Sequence, residues 1–216
     1  MYGLILGKRY QGKSTLALSI ACSLSSTVVI WDPNSQFLEV PLVSIESLEG
    51  RFDEVAGGEL GRLTVRVTRD DYEEAFQELA DQLWNWEDYC LIVDEAATVQ
   101  KPSWIHPGLK RAITRGPASV SVIQTAHRMS DFHRMSQAQA TDVFFFRSTQ
   151  ARDVERIADE FDPRLEAVLP QLGRYEVAHY WLDPVGGIEH LAVWRKPRDW
   201  FIEIGRRDGK PEELAG

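Results

Sequence analysis

The sequence predicts an α/β fold with a mostly parallel central sheet flanked by helices. Two short apolar runs, at residues 28–31 and 89–93, are typical of strands buried on both faces of a parallel sheet. A segment with apolar residues at helical spacing, residues 70–86, lies between them. A strand, a glycine-containing loop and a helix open the chain. For 216 residues we expect one domain, with a core at about residues 1–150 and a short β-rich C-terminal extension at about 151–216.

The first fifteen residues predict a phosphate-binding loop of the Walker A type. An apolar run at 4–6 stops at Gly7, and Gly12-Lys13-Ser14-Thr15 opens a helix, which gives the spacing G-x-x-x-x-G-K-S. Glycines at both ends let backbone N–H groups approach a triphosphate, and the helix dipole attracts the same charge. Lys13 is expected to reach the β- and γ-phosphates of ATP, and the Ser14 hydroxyl to bind Mg²⁺. The residues expected to contact the nucleotide are Gly7, Lys8, Arg9, Tyr10, Gln11, Gly12, Lys13, Ser14 and Thr15. A glycine turn with a chance Lys-Ser is the alternative.

The second predicted strand ends in an acid. A helix at 14–25 precedes this strand at 28–31, and Asp32-Pro33 follows it. Because α/β sheets bind ligands beyond the carboxyl ends of their strands, Asp32 is a candidate for the nucleotide site. An Asx turn before proline explains it equally well. Residues 33–61 show little periodicity, and we expect an irregular surface excursion with room for a peripheral strand at 42–45.

Two acids end the buried strand at 89–93, after a predicted strand at 63–67 and a helix at 70–86. Carboxylates there are costly unless they meet a cation or water. Beside a phosphate loop, Asp94 is expected to hold Mg²⁺ as a Walker B acid, and Glu95 to polarise the attacking water. The alternative is a strand end whose acids begin a helix.

The rest of the chain continues the alternation. A basic helix at 104–115 precedes a strand at 120–123, which ends on Gln124-Thr125. The Gln124 amide senses a γ-phosphate or, equally, caps the strand. A basic cluster follows, which we interpret as polar loop and helix residues: His127, Arg128, His133 and Arg134. The remaining elements are strands at 142–147, 175–182 and 188–194, a helix at 151–161, a hairpin-like turn at 183–187 and a loose tail of about a dozen residues.

Charge is distributed unevenly along the chain. The net charge is −9 and the pI is near 5.1, yet residues 99–134 contain six basic residues against Asp131 alone. A basic segment in an acidic body predicts a face or channel that meets an anion, with a solvated helix face as the alternative. The six residues are Lys101, Lys110, Arg111, Arg115, Arg128 and Arg134.

The sequence predicts no integral membrane segment. Residues 14–31 are eighteen uncharged residues in a row, but seven of them are Ser or Thr and a phosphate loop precedes them. A helix plus a buried strand explains the run better. Cys22 and Cys90 lie in apolar stretches without metal-ligand spacing. We therefore expect a cytoplasmic protein in a reducing compartment.

Taken in order, these motifs resemble the FtsK/HerA superfamily of P-loop DNA-pumping ATPases. The resemblance covers residues 1 to about 150, and the compact size is most similar to genome-packaging ATPases of viruses with internal membranes. The motifs that carry it are the phosphate loop, Asp32-Pro33, Asp94-Glu95, Arg115-Gly116 and Gln124.

The resemblance implies a RecA-like core, a homo-oligomeric ring (a pentamer or a hexamer) and ATP with Mg²⁺ bound between neighbouring subunits. It implies double-stranded DNA as a partner, a capsid or portal component as another, and a location in the host cytoplasm or at a virion vertex. In this family pattern Lys13 and Ser14 hold phosphate and Mg²⁺, and Asp94 holds the metal. Glu95 serves the water and Gln124 the sensor role, and Arg115 matches the arginine that acts in the next subunit's site.

Two other functions fit parts of the sequence. A small-molecule P-loop kinase needs a phosphate acceptor and usually an arginine-rich lid, and it needs no water-activating acid, so Glu95 favours hydrolysis over a kinase. A P-loop assembly or secretion factor that does not pump DNA typically carries a membrane span, which this sequence does not predict.

Overall fold

The computed structural model describes residues 1–182 and 189–194 and the backbone of 212–213. A nine-stranded sheet forms its centre, in the order β11-β10-β9-β8-β1-β7-β4-β2-β3. The strands of this sheet are β1 (Tyr2–Leu6), β2 (Thr27–Trp31), β3 (Leu63–Val67), β4 (Cys90–Val93), β7 (Ser121–Ala126), β8 (Asp142–Phe146), β9 (Val177–Leu182), β10 (Glu189–Trp194) and β11 (Glu212–Glu213). A separate hairpin joins β5 (Gln100–Lys101) to β6 (Trp104–Ile105). The helices are α1 (Lys13–Leu24), α2 (Leu48–Ala56), α3 (Tyr72–Leu83), α4 (Pro107–Arg115), α5 (Arg134–Gln139), α6 (Ala151–Glu160) and α7 (Leu165–Val168).

Strand direction determines where a site can form. The six strands from β8 to β3 are mutually parallel, whereas β9, β10 and β11 continue the sheet in antiparallel pairing. The carboxyl ends of β1, β7, β4 and β2 therefore meet at one edge, which we call the carboxyl edge. The prediction of an α/β fold with a mostly parallel sheet is confirmed.

Helices cover both faces of the sheet. On one face, Leu16 and Ile20 of α1 pack against apolar side chains of the central strands, among them Ile30 and Ile92. On the other face, α2, α3, α4 and α6 bury a larger cluster that includes Phe76 of α3. Side chains alternate along each strand, so both clusters draw on the same strands. The sheet is consequently buried on both sides, as its apolar runs predicted.

The prediction of an irregular excursion at 33–61 is wrong for residues 45–56, whereas 33–44 and 57–61 contain no helix or strand. A short 3-10 turn (Ile45–Ser47) leads into α2, whose Leu48 and Phe52 are buried. The Phe52 ring stacks on Trp86, with centroids 4.6 Å apart. The helix is only nine residues long and contains Gly50, which hid its periodicity. The peripheral strand at 42–45 does not form, since Leu42 makes a single isolated bridge to Arg66.

The basic helix starts later than expected. Residues 104–105 form β6, and α4 begins at Pro107 with His106 as its cap. The residue before a proline avoids the helical region, and proline itself suits the first helical turn, so the boundary follows from residue type. Helix α3 is also shorter than the predicted 70–86, beginning after Asp71 rather than at Asp70.

The C-terminal extension joins the same sheet. Helices α6 and α7 precede β9, which pairs with β8, and β10 pairs with β9. The predicted turn at 183–187 lies outside the described residues, as does the predicted loose tail except for 212–213. In the part of the chain that the structure describes, no helix is long and apolar enough to span a membrane.

Candidate active site

The phosphate loop follows β1 at the carboxyl edge. Gly12 has a φ of +100°, a left-handed conformation that glycine adopts without strain. A Cβ on Gly7 would lie 2.7 Å from both Gln11 Oε1 and Phe146 Cβ, so only glycine fits there. Gln11 accepts a hydrogen bond from the Lys8 N–H (2.6 Å) and donates to the Arg147 carbonyl (3.1 Å). The loop is therefore anchored to the end of β8.

Lys13, the first residue of α1, lies in the loop with only 9% of its surface exposed. Its Nζ donates to the Lys8 carbonyl at 3.2 Å. Burial lowers the pKa of the Lys13 ammonium, and the nearby charges of Asp94 and Glu95 oppose that shift. A desolvated ammonium gains strongly from an anion, so this side chain is suited to hold a phosphate.

Asp94 follows β4 and is 4% exposed. The Thr125 hydroxyl donates to its Oδ1 at 2.7 Å, and the Ser14 hydroxyl lies 3.4 Å from the same oxygen. Burial raises the pKa of the Asp94 carboxyl, and the bond from Thr125 acts in the opposite direction. The buried carboxylate thus needs a partner of opposite charge, and it lines the cavity next to the phosphate loop.

Glu95 has a φ of +54°, a strained backbone conformation for a residue with a side chain. Its N–H donates to Thr125 Oγ1 at 3.1 Å, which helps to hold that conformation. Its Oε2 lies 3.2 Å from Nε2 of His127. The other ring nitrogen of His127 lies 3.1 Å from the Gly7 carbonyl and 3.4 Å from Lys13 Nζ. His127 therefore bridges the acid and the phosphate loop.

These groups surround one cavity of about 440 Å³, which we call the first cavity. Its walls come from the loop, the start of α1, the segment after β2 and the ends of β4 and β7. The lining residues are Arg9, Tyr10, Gly12, Lys13, Ser14, Thr15, Asn34, Gln36, Asp94, Glu95 and His127. Backbone N–H groups, a buried ammonium and two carboxylates can together hold a polyphosphate with a divalent cation and position a water.

No family model and no curated protein matches the sequence. Solved structures do match. The genome packaging NTPase B204 from Sulfolobus turreted icosahedral virus 2 superposes with a TM-score of 0.68 in complex with sulfate and 0.66 in complex with ATP-gammaS. Both matches have 18% identity and cover 90% of this chain, with 95% and 96% of the other. The fold is that of a P-loop NTPase.

A third structure extends the comparison. The conjugation coupling protein TcpA of pCW3, in complex with ATPgS, matches with a TM-score of 0.50 and 9% identity over 87% of this chain and 58% of that one. The resemblance read from the motifs is thereby confirmed for the P-loop NTPase fold.

The P-loop NTPase fold brings most of the predicted residues together. Lys13, Ser14, Asp94 and Glu95 face the first cavity, as do Arg9, Tyr10, Gly12 and Thr15. Gly7, Lys8 and Gln11 shape the loop from behind. Sequence reasoning gave two residues, Thr125 and His127, no role at the site. Both lie at the carboxyl end of β7, and the sequence could have indicated them because ligands bind beyond the carboxyl ends of parallel strands.

Asp32 does not face the first cavity. Its side chain is fully buried and accepts hydrogen bonds from the N–H groups of Gln36 (2.7 Å) and Phe37 (3.0 Å). Arg66 Nη1 lies 3.5 Å from its Oδ2. Asp32 therefore forms a turn, and the prediction that it contacts the nucleotide directly is corrected. Asp32 shapes the segment that carries Gln36 to the cavity wall.

Gln124 is also directed elsewhere. Its amide is fully buried, donates to the Tyr2 hydroxyl and accepts from the Gln100 amide. Gln100 in turn accepts from the Ser136 hydroxyl at 2.7 Å. This network lies on the sheet face opposite α1, because neighbouring residues of a strand point to opposite faces. The geometry thus corrects the sensor prediction, and Thr125 is the polar side chain of β7 at the site.

The basic segment is divided between the two edges of the sheet, since Arg115 precedes β7 and Arg128 follows it. Arg111 pairs with Asp81 at 2.6 Å and lies over the Trp84 ring at 4.6 Å, so its charge is already matched. Arg115 is exposed at the end of α4, the end that leads into the amino end of β7. Arg115 thus lies at the edge of the sheet opposite the first cavity.

Proposed function

We propose that this protein is a Mg²⁺-dependent ATPase that translocates double-stranded DNA during packaging of a viral genome. The observation that carries the enzymatic part is the convergence of Lys13, Ser14, Asp94 and Glu95 on one cavity beneath a phosphate loop. The genome packaging NTPase B204, which shares the fold and has been solved in complex with ATP-gammaS and AMPPCP, supports it.

Nucleotide binding follows from the charges. The loop N–H groups and the Lys13 ammonium bind the β- and γ-phosphates. The hard oxygen atoms of Ser14 and Asp94, 3.4 Å apart, fit the ligand preference of Mg²⁺. A divalent cation also compensates the buried carboxylate of Asp94. Mg²⁺ supplies charge neutralisation of the phosphates, and Thr125 keeps the Asp94 carboxylate oriented and ionised.

Glu95 activates the water for hydrolysis. Its carboxylate is less buried than that of Asp94 and lies at the cavity wall, where it orients and polarises a water. Thr125 holds its backbone, and the His127 ring contacts its carboxylate at 3.2 Å. Because a water-directed acid serves transfer to water rather than to an acceptor, this arrangement supports an ATPase over a small-molecule kinase.

Coupling to DNA is the finer part of the proposal. We infer a homo-oligomeric ring, a pentamer or hexamer, in which Arg115 of one subunit completes the site of the next. Its position far from its own cavity supports action in trans. The matching structures are those of a genome packaging NTPase and a DNA-packaging ATPase, which supports double-stranded DNA as the partner and a capsid or portal component as the docking site. The protein then works in the host cytoplasm or at a virion vertex.

Phosphate release from ATP, measured without any acceptor molecule, tests the proposal. We expect Mg²⁺-dependent release that Lys13→Ala abolishes, because the phosphate charge loses its buried partner. Lys101→Ala, at an exposed position of the β5–β6 hairpin, is the matched control and should keep the wild-type rate. Release that survives Lys13→Ala would contradict the assignment. A further rise when double-stranded DNA is added is expected from a motor, and its absence in assembled protein would favour an assembly factor.

A further inference from the structure

A second cavity of about 290 Å³ opens at the carboxyl edge, beside the phosphate loop. It is bounded by the segments that follow β8, β1 and β7 and by α6. Arg9 and His127 line both cavities, and the remaining walls differ. Apolar side chains of Leu6, Phe145 and Ile157 form its floor. Gly7, Lys8 and Arg9 of the phosphate loop line it as well, whereas Arg128, Arg147 and α6 take no part in the nucleotide chemistry described above.

The second cavity is strongly basic. Four cations, Lys8, Arg9, Arg128 and Arg147, line it against one acid, Asp153. All four cations are exposed, and none has an ion-pair partner within residues 1–182 and 189–194. This differs from Arg111, whose charge is matched by Asp81. In a chain of net charge −9, such a concentration of unmatched positive charge attracts an anion.

The arrangement of the cations indicates a linear anion. Arg147 follows β8, Lys8 and Arg9 follow β1, and Arg128 follows β7, and these three strands are adjacent in the sheet. Adjacent strands are about 4.8 Å apart, so the row extends about 10 Å. A DNA strand carries one negative charge per about 3.4 Å of helix axis. A row of cations on this scale suits successive backbone phosphates better than a single carboxylate.

His127 connects the second cavity to the first. Its Nε2 is 3.2 Å from Glu95 Oε2, and its Nδ1 is 3.1 Å from the Gly7 carbonyl. Because His127 lines the second cavity as well, a phosphate bound there approaches the ring that contacts Glu95. Movement of the ring toward that phosphate releases the Glu95 carboxylate to act on water.

We propose that the second cavity binds backbone phosphates of DNA and that His127, as a positioning residue, transmits its occupancy to Glu95. The binding half stands on the cavity alone, whereas the coupling half rests on the proposed ATPase function.

Binding is tested without nucleotide, by fluorescence anisotropy of a short labelled DNA duplex titrated at several salt concentrations. Arg147→Gln removes one cation of the second cavity and leaves the backbone carbonyl that anchors Gln11. Arg62→Gln, an exposed arginine before β3 at the far side of the sheet, removes the same charge elsewhere. We expect Arg147→Gln to weaken binding and to reduce the log–log salt slope by about 0.9, the value of one phosphate contact. Arg62→Gln should match wild type.

Equal behaviour of the two variants would overturn the binding half, whether or not the protein hydrolyses ATP. Binding of polyglutamate in place of the duplex, lost in Arg147→Gln, would also overturn it and assign the second cavity to an acidic protein. Basal phosphate release by Arg147→Gln, measured alongside, reports on the proposed function separately and should equal that of wild type.

Coupling is tested by the ratio of phosphate release with and without the duplex at saturating ATP. We expect His127→Gln to bring this ratio close to one at saturating duplex, while its salt slope for duplex binding falls by no more than about 0.9, the value of one phosphate contact. A purely structural role would lower both rates and leave the ratio unchanged. An unchanged ratio would overturn the coupling half while leaving the cavity assignment in place.

Discussion

Thr125→Val tests a part of the site that only the tertiary structure revealed. Thr125 is fully buried, donates to Asp94 Oδ1 at 2.7 Å and accepts from the Glu95 N–H at 3.1 Å. Valine has nearly the same shape but no hydroxyl, and no water can replace the lost group in a fully buried position. A hydrogen bond to a charged group contributes about 1.5–3 kcal/mol. At about 1.4 kcal/mol per factor of ten, kcat/KM should fall roughly ten- to a hundredfold.

Thr125→Val should also change how phosphate release depends on pH and on Mg²⁺ concentration. The Thr125 bond lowers the pKa of Asp94 against the larger effect of burial, so its loss raises that pKa further. Because a protonated carboxyl cannot hold Mg²⁺, the acidic limb of the activity profile should move to higher pH. The Mg²⁺ concentration that gives half-maximal turnover should rise as well.

Phosphate release across Mg²⁺ and pH series, together with nucleotide affinity, is the assay. Thr125→Ser keeps the hydroxyl and should retain most activity. Gln124→Met alters the neighbouring residue on the other sheet face and should lower stability, since Tyr2 and Gln100 lose their partner, without changing the Mg²⁺ dependence. A folded Thr125→Val protein with wild-type turnover and Mg²⁺ dependence would refute this reasoning.

Three further predictions concern water activation, assembly and packing. Glu95→Gln should bind Mg-ATP as wild type does but release phosphate at least about a hundredfold more slowly, and equal loss of binding and turnover would assign Glu95 to the metal instead. Mixtures of Arg115→Ala and Lys13→Ala proteins should regain activity, since some interfaces then combine an intact arginine and an intact lysine; no recovery in assembled rings argues against action in trans. Gly108→Ala should lower the free energy of unfolding in urea by roughly 1–3 kcal/mol, because its Cβ would lie 2.4 Å from Ala80 Cβ. Gly50→Ala in α2, where nothing lies within 4 Å of the added Cβ, should raise it by roughly 0.5–1 kcal/mol, and the opposite order would contradict the packing.

Much of the site could be predicted from the sequence because its chemistry is local. The phosphate loop is contiguous, so the spacing of Gly7, Gly12 and Lys13 specifies both its shape and its charge. Asp94 and Glu95 follow directly on an apolar strand, and parallel strands place their carboxyl ends at one edge. The apolar runs themselves predicted a sheet buried on both faces, which the structure confirms.

The tertiary structure alone decided which polar residues belong to the site. Gln124 and Thr125 are adjacent, and their sequence does not reveal which one faces α1, because that depends on how β7 is oriented within the sheet. His127 joins Glu95 to the loop only because β1 and β7 are neighbours, although 120 positions separate His127 from Gly7. Likewise, Arg115 and Arg128 are close in sequence, but they lie at opposite edges of the sheet because α4 ends before β7 begins and Arg128 follows that strand. Proximity along the chain therefore predicted the loop, whereas strand order and side-chain alternation determined its partners.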